Sequence, residues 1–342
     1  MSRHKREPGL LPRPIAILGA LALIAGTVGA VRLLPPGAAS ARKPPPSAPT
    51  YSLASSSPAA PPIAAFVAFV DTAREPDFNL PVESRRTGVL HYALGHLVAG
   101  DDGCAPKWAP PLDSAQRQRS PLDPGENPVA NRIGRLRALG GDAAPVFGGP
   151  GGRELAVTCT RPGGLAAAYR RVVGAFDATA IDFEVRDSAD RAAVLRRARA
   201  IQSMQSERRL RVSFTLRLKP DGLSEGDVAM LRTTRQAGAE VATVNLLAPV
   251  EPRTAPEGRL RRIAEAVLTA RDQVARAQAV TDPDQAWQRI ALTPVLTGES
   301  DLSELDAHKL ADYAAGHGLA WLSLRGVIPK PDVSRILRSI PP

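Results

Sequence analysis

Residues 180–187 read Ala180-Ile181-Asp182-Phe183-Glu184-Val185-Arg186-Asp187. Apolar and charged side chains alternate with a period of two, so Ile181, Phe183 and Val185 share one face of a strand while Asp182, Glu184 and Arg186 share the other. A strand with an apolar face suits a covering layer of helices, and its charged face then requires a polar interior. A closed barrel supplies that interior, with successive charged residues climbing about 6.6 Å per step toward the mouth. Glu184 and Arg186 are then expected to form an ion pair that plugs the barrel or contacts a ligand. Asp187 has the opposite parity and is expected to cap a helix beginning near Ser188.

Outward from this stretch, short β-type runs alternate with helix-length amphipathic runs, as in parallel βα units. The expected strands are Ala64–Val70, Gly88–Val98, Ala143–Phe147, Ala180–Val185, Leu210–Leu216, Val241–Leu247, Ile290–Val295 and Leu319–Leu324. Leu165, Tyr169, Val172, Val173 and Phe176 recur at helical spacing, as do Leu260, Ile263, Val267 and Val274, each group forming one apolar stripe. Gly140-Gly141, Gly238 and Gly318 precede strands, where the end of a helix needs positive φ. Eight such units in residues 63–342 point to an α/β fold of the (β/α)8 TIM-barrel type. An open doubly wound sheet is the alternative, although no Gly-x-Gly-x-x-Gly follows the first strand to mark a dinucleotide site.

The formal net charge of +10 is unevenly spread. Residues 1–62 hold seven Lys/Arg and one Glu, which leaves +4 for the other 280 residues and argues against a nucleic-acid partner. The basic stretch 1–14, expected to stay in the cytoplasm, precedes an apolar run at 15–34. That run reads as a transmembrane signal-anchor or, with Val28-Gly29-Ala30 or Ala39-Ser40-Ala41 as a cleavage site, as a signal peptide. Residues 35–62, rich in Pro, Ala and Ser, form a linker that cannot bury a core. The barrel is therefore expected outside the cytoplasm, membrane-anchored or secreted. In that compartment Cys104 and Cys159, the only cysteines, can form a disulfide joining two loops at the mouth, with two separate buried thiols as the alternative. They are too few for a metal centre, His91, His96, His308 and His317 show no metal spacing and read as ordinary residues, and no cofactor is expected.

The chain from 64 to 326 resembles the secreted bacterial chitinases of glycoside hydrolase family 18. Val67-Ala68-Phe69-Val70-Asp71 is similar to that family's first strand, and His91-Tyr92-Ala93-Leu94 with Cys104-Ala105-Pro106-Lys107-Trp108 to its second strand and cysteine loop. Phe147-Gly148-Gly149 resembles the glycine turn after the third strand, Val212–Leu216 the fifth strand and Val244-Asn245-Leu246 the sixth. The resemblance implies a barrel acting on acetamido glycans, with a signature Asp-x-x-Asp-x-Asp-x-Glu on the fourth strand whose last residue protonates the leaving oxygen.

Laid on that signature the chain reads Thr179, Asp182, Glu184 and Arg186. Arginine holds its proton at any working pH and cannot act as the acid. The family's Met-x-Met-Asp-Tyr corresponds to Leu247-Ala248-Pro249-Val250-Glu251, and the tryptophan flooring its sugar subsite corresponds to Arg325. The expectation is a chitinase-like pseudoenzyme without intact catalytic residues, a monomer, binding a chitin-like or other envelope polysaccharide at the mouth. Asp182, Glu184, Arg186, Asn245, Trp108 and Arg325 are the candidate ligand-binding residues, with local packing as the other account of Trp108. Two alternatives stay open: a hydrolase using Glu184 with Asp182, or Glu251 from a neighbouring loop, as relocated acids, and a structural envelope protein.

Overall fold

The computed structural model describes residues 66–109, 128–255 and 257–339. The expected cytoplasmic stretch, membrane segment and linker lie outside the described residues. Among the described residues, no helix is long and apolar enough to cross a membrane.

The chain forms β1 (Val67–Asp71), α1 (Leu80–Thr87), β2 (His91–Ala99), β3 (Pro106–Trp108), α2 (Pro128–Arg137), β4 (Asp142–Gly148), α3 (Leu155–Thr158) and α4 (Gly164–Ala175). It continues with β5 (Ala180–Glu184), α5 (Arg191–Glu207), β6 (Arg211–Arg217), α6 (Glu225–Gln236), β7 (Thr243–Pro249), α7 (Arg259–Gln278) and α8 (Pro283–Gln288). The last elements are β8 (Ile290–Leu296), α9 (Glu304–His317), β9 (Arg325–Gly326) and α10 (Pro331–Arg338). Strands β1-β2-β4-β5-β6-β7-β8-β9 pair in that order, all parallel. The Val67 amide donates to the Leu322 carbonyl at 2.9 Å, and Phe66 bridges Leu322, which brings the last strand back to the first. The result is a nearly closed (β/α)8 barrel.

Two expectations are corrected and one strand is added. The eighth strand is not a continuous Leu319–Leu324 run: Leu322 makes isolated bridges to Phe66 and Leu292, and the regular pairing is confined to Arg325–Gly326 against Val295 and Leu296. The sequence also concealed β3, which runs antiparallel to β2 with Leu97 opposite Trp108 and carries the cysteine loop back along the barrel wall. Asp187 accepts only from the Ala189 amide, while the N-cap of α5 is Asp190, whose carboxylate takes the Ala192 and Ala193 amides. The helix therefore starts later than the sequence suggested.

The apolar face of β5 lies between sheet and helices as its pattern requires. Phe183 has ring centroids 5.4 Å from Phe147, 5.5 Å from Phe214 and 5.2 Å from Tyr169 of α4. Ile181 and Val185 are buried beside it. Gly140, Gly238 and Gly318 take φ of 83°, 82° and 64°, ending helices ahead of strands as expected.

Candidate functional site at the mouth of the barrel

The inward face of β5 starts a polar column. Asp182 is buried and accepts from Ser213 Oγ (2.5 Å) and Thr215 Oγ1 (2.8 Å), both on β6. Thr215 Oγ1 in turn accepts from the Asn245 amide at 3.1 Å, and Asn245 Oδ1 accepts from Thr293 Oγ1 at 2.7 Å. These four strands thus tie their inner faces together with neutral hydroxyls and one amide. Burial pushes the Asp182 carboxyl up to about 6, against the two hydroxyl hydrogen bonds that favour its ionised form.

One layer nearer the mouth, Glu184 meets two partners that the sequence did not pair with it. Its Oε2 lies 2.8 Å from His96 Nε2 and 3.2 Å from Arg325 Nη1. The Arg325 guanidinium also lies over the Phe69 ring, 3.0 Å from its centroid, and Phe69 is in contact with the His96 ring at 5.2 Å. Only 12% of the Arg325 side chain and 10% of the Glu184 side chain are exposed, so this cluster closes the barrel's interior. Burial alone would raise the Glu184 carboxyl, but the His96 hydrogen bond and the Arg325 charge outweigh it and hold the group below the ordinary carboxylate range. Burial lowers the Arg325 guanidinium, opposed by the charges of Glu184 and Asp182.

The expected Glu184–Arg186 pair is therefore replaced by Glu184–Arg325. β5 ends at Glu184, and Arg186 sits beyond it, exposed. The partner arrives from the other side of the barrel, where β9 brings Arg325 inward. His96, expected to be ordinary, is a buried member of the cluster.

Two glycines make room for this arrangement. A Cβ on Gly95 would stand 2.6 Å from the Phe69 ring, and one on Gly149 would collide with the His96 imidazole. The Gly148-Gly149 turn, with both residues at positive φ, also lets the Gly149 amide donate to the Glu184 carbonyl at 3.0 Å. Gly95, one residue before His96, was the local sequence sign that the backbone here lies close against another side chain.

The remaining candidates take different places. Trp108 is 7% exposed and stacks on Phe176 at 5.9 Å, so its faces are occupied by the protein itself. Asn245 is buried in the hydroxyl network described above. Glu251 is engaged by Arg262, and Val250 is buried. Cys104 and Cys159 are joined in a disulfide. It borders a cleft of about 690 Å³ between the loops after β2 and β4, lined by Asp101, Lys107, Arg153 and Thr158 among others. The loop after β4 is further held by Glu154, which pairs with the fully buried Arg197 of α5. Among the described residues, no three His, Cys, Asp or Glu side chains gather as a metal ion would require.

This barrel, with its polar column rising to a disulfide-bordered mouth, has the fold of the chitinases of glycoside hydrolase family 18. The catalytic domain of a hyperthermophilic chitinase from Pyrococcus furiosus superposes with a TM-score of 0.65 at 22% identity, covering 80% of this chain and 93% of that one. A family 18 chitinase from Pseudoalteromonas aurantia matches with a TM-score of 0.57 at 10% identity, over 81% of this chain and 98% of that one. In sequence, a probable bifunctional chitinase/lysozyme of Escherichia coli is 24% identical over 177 residues, 49% of this chain. The chain spans 19% and 24% of the lengths of the first curated relatives it matches. No family model matches the chain.

Proposed function

We propose that this protein is a chitinase-like barrel that does not hydrolyse its ligand and binds a cell-envelope polysaccharide at its mouth, outside the cytoplasm, tethered or exported by its N-terminal segment. The observation that carries this reading is the state of Glu184. It is the carboxylate nearest the place where the family's acid acts, and His96 and Arg325 hold it ionised and enclosed. A general acid must carry a proton at working pH and reach the leaving oxygen, and Glu184 meets neither condition. Asp182 carries its proton to higher pH but lies a layer deeper, under two hydroxyls. Arg325 also stands at the position that the resemblance gives to the tryptophan flooring the sugar subsite.

The purified full-length protein, incubated with chitin oligosaccharides and with peptidoglycan fragments, is expected to retain at least one of them without releasing product. Product release that Glu184→Gln abolishes would overturn the reading in favour of catalysis. Failure to bind any polysaccharide, together with a specific protein recovered by crosslinking, would favour a structural role instead. Restoring the acid alone is also expected to fail: Arg186→Glu should give no measurable turnover, because Arg325, Val250 and Glu251 still stand where acetamido-positioning groups would be needed. Robust turnover from that single change would contradict this account of the mouth.

A further inference from the structure

The layer above the Glu184 cluster has a chemistry of its own. In the β5–β6 ladder Asp182 pairs with Ser213 and Glu184 with Thr215, and the Val185 amide still donates to the Thr215 carbonyl at 3.2 Å. Two residues further along stand Arg186, past the end of β5, and Arg217, the last residue of β6. The Glu184–Thr215 pairing and the Val185–Thr215 hydrogen bond bring the exits of these two strands together. Both arginines are exposed, and among the described residues neither makes an ion pair or a side-chain hydrogen bond.

Acidic groups of this region have partners of their own. Glu184, directly beneath, is already neutralised by Arg325. The carboxylates of nearby loops are engaged as well: Glu251 pairs with Arg262, Asp187 accepts from the Ala189 amide, and Asp301 accepts from the Thr297 and Gly298 amides and the Thr297 hydroxyl. The mouth thus presents two guanidinium groups without ion-pair partners over a plugged floor. Guanidinium groups match the planar oxygen pairs of carboxylates and the oxygens of phosphates, donating two hydrogen bonds at once.

We infer that the polysaccharide bound at the mouth is anionic, and that Arg186 and Arg217 together grip one of its carboxylate or phosphate groups. This rests on the binding reading above and narrows it to a ligand class. It also gives a role to arginine at the position corresponding to the family's acid: the site that would donate a proton to a neutral sugar instead offers a permanent charge to an acidic one.

The test measures binding of the full-length protein to three probes: chitohexaose, which is neutral; a hyaluronan hexasaccharide, which adds carboxylates to the same acetamido sugar; and a poly(glycerol phosphate) oligomer. One anionic probe should bind at least about tenfold more tightly than chitohexaose, and whichever probe wins identifies carboxylate or phosphate as the group. Arg186→Gln and Arg217→Gln should each weaken that binding about five- to tenfold. Arg276→Gln, removing an exposed charge on α7 away from the mouth, should leave it unchanged. The advantage should shrink between 0.05 and 0.15 M salt, as screening of exposed charges demands. If chitohexaose binds as well as the anionic probes and the two substitutions change nothing, the anionic inference is overturned while glycan binding survives. If no probe binds, both readings fall. If Arg276→Gln weakens binding as much as the mouth variants, the attraction is diffuse charge and the paired grip is wrong.

Discussion

On the outer side of β5, Ile181, Phe183 and Val185 pack among Phe147, Phe214 and Tyr169, apolar contacts apart from the Tyr169 hydroxyl, which is buried without a hydrogen-bond partner. On the inner side of the same strand, Asp182 and Glu184 are as deeply buried, yet each depends on side chains from strands far away in sequence. The outer face needs residues of suitable size and apolarity, and several combinations would fill the same space. The inner face needs particular donors at particular heights. The packing of the wall therefore tolerates more exchange of residues than the polar interior does.

The largest effect should come from the wall. Phe183→Ala is expected to cost about 4 kcal/mol in urea unfolding, the range for emptying an aromatic from a packed core; a loss under about 1 kcal/mol would mean that the outer layer is loosely packed. Next, Glu184→Gln leaves Arg325 buried without its counter-charge and should cost about 3 kcal/mol. Combining Glu184→Leu with Arg325→Met should cost less than Glu184→Leu alone, and a strictly additive pair would show that the two do not act as a unit.

The third effect depends on pH. Unfolded aspartate titrates near pH 3.9, whereas folded Asp182 sits at about 6, so the folded state holds its proton longer. The stability this provides is present below about pH 4 and is lost as pH rises through about 6, by roughly 2–3 kcal/mol. Glu184, shifted the other way, contributes stability that is lost as pH falls below the usual carboxylate range. Relative to the wild type, Asp182→Asn should therefore gain stability between pH 4 and pH 7, and a flat difference across that window would contradict the burial argument. The smallest effect belongs to the rim. Arg186→Gln should change stability by no more than about 0.5 kcal/mol, because Arg186 lies past the end of the strand and touches no partner.

The barrel was legible because its wall obeys short-range rules. Period-two runs and helical stripes located seven of the strands, and even the inward parity of Asp182 and Glu184 followed from eight residues. The short antiparallel β3 escaped notice because Pro106-Lys107-Trp108 has no periodicity and owes its form to pairing with β2. The interior was legible in parity and not in height. Nothing in Val185-Arg186 says that the ladder stops at Glu184, so the nearest arginine in sequence was assigned to a carboxylate that belongs to the arginine of β9. His96 was passed over for the same reason: its partner lies 88 residues away, and only the bare Cα position at Gly95 hinted at a close approach.

Arg325 stands 229 residues after His96 in the chain, on a strand of two residues that pairs with β8 just after the Leu322 bridge to Phe66. Chains are made from the N-terminus, so the carboxylate of Glu184 and the ring of His96 exist long before the cation that completes their cluster. A copy broken off before residue 325 would hold an unbalanced charge in its interior along with an unfinished edge, two defects that arise from one missing segment. The buried Glu184 thus gains its cationic partner only once the segment carrying residue 325 has been made.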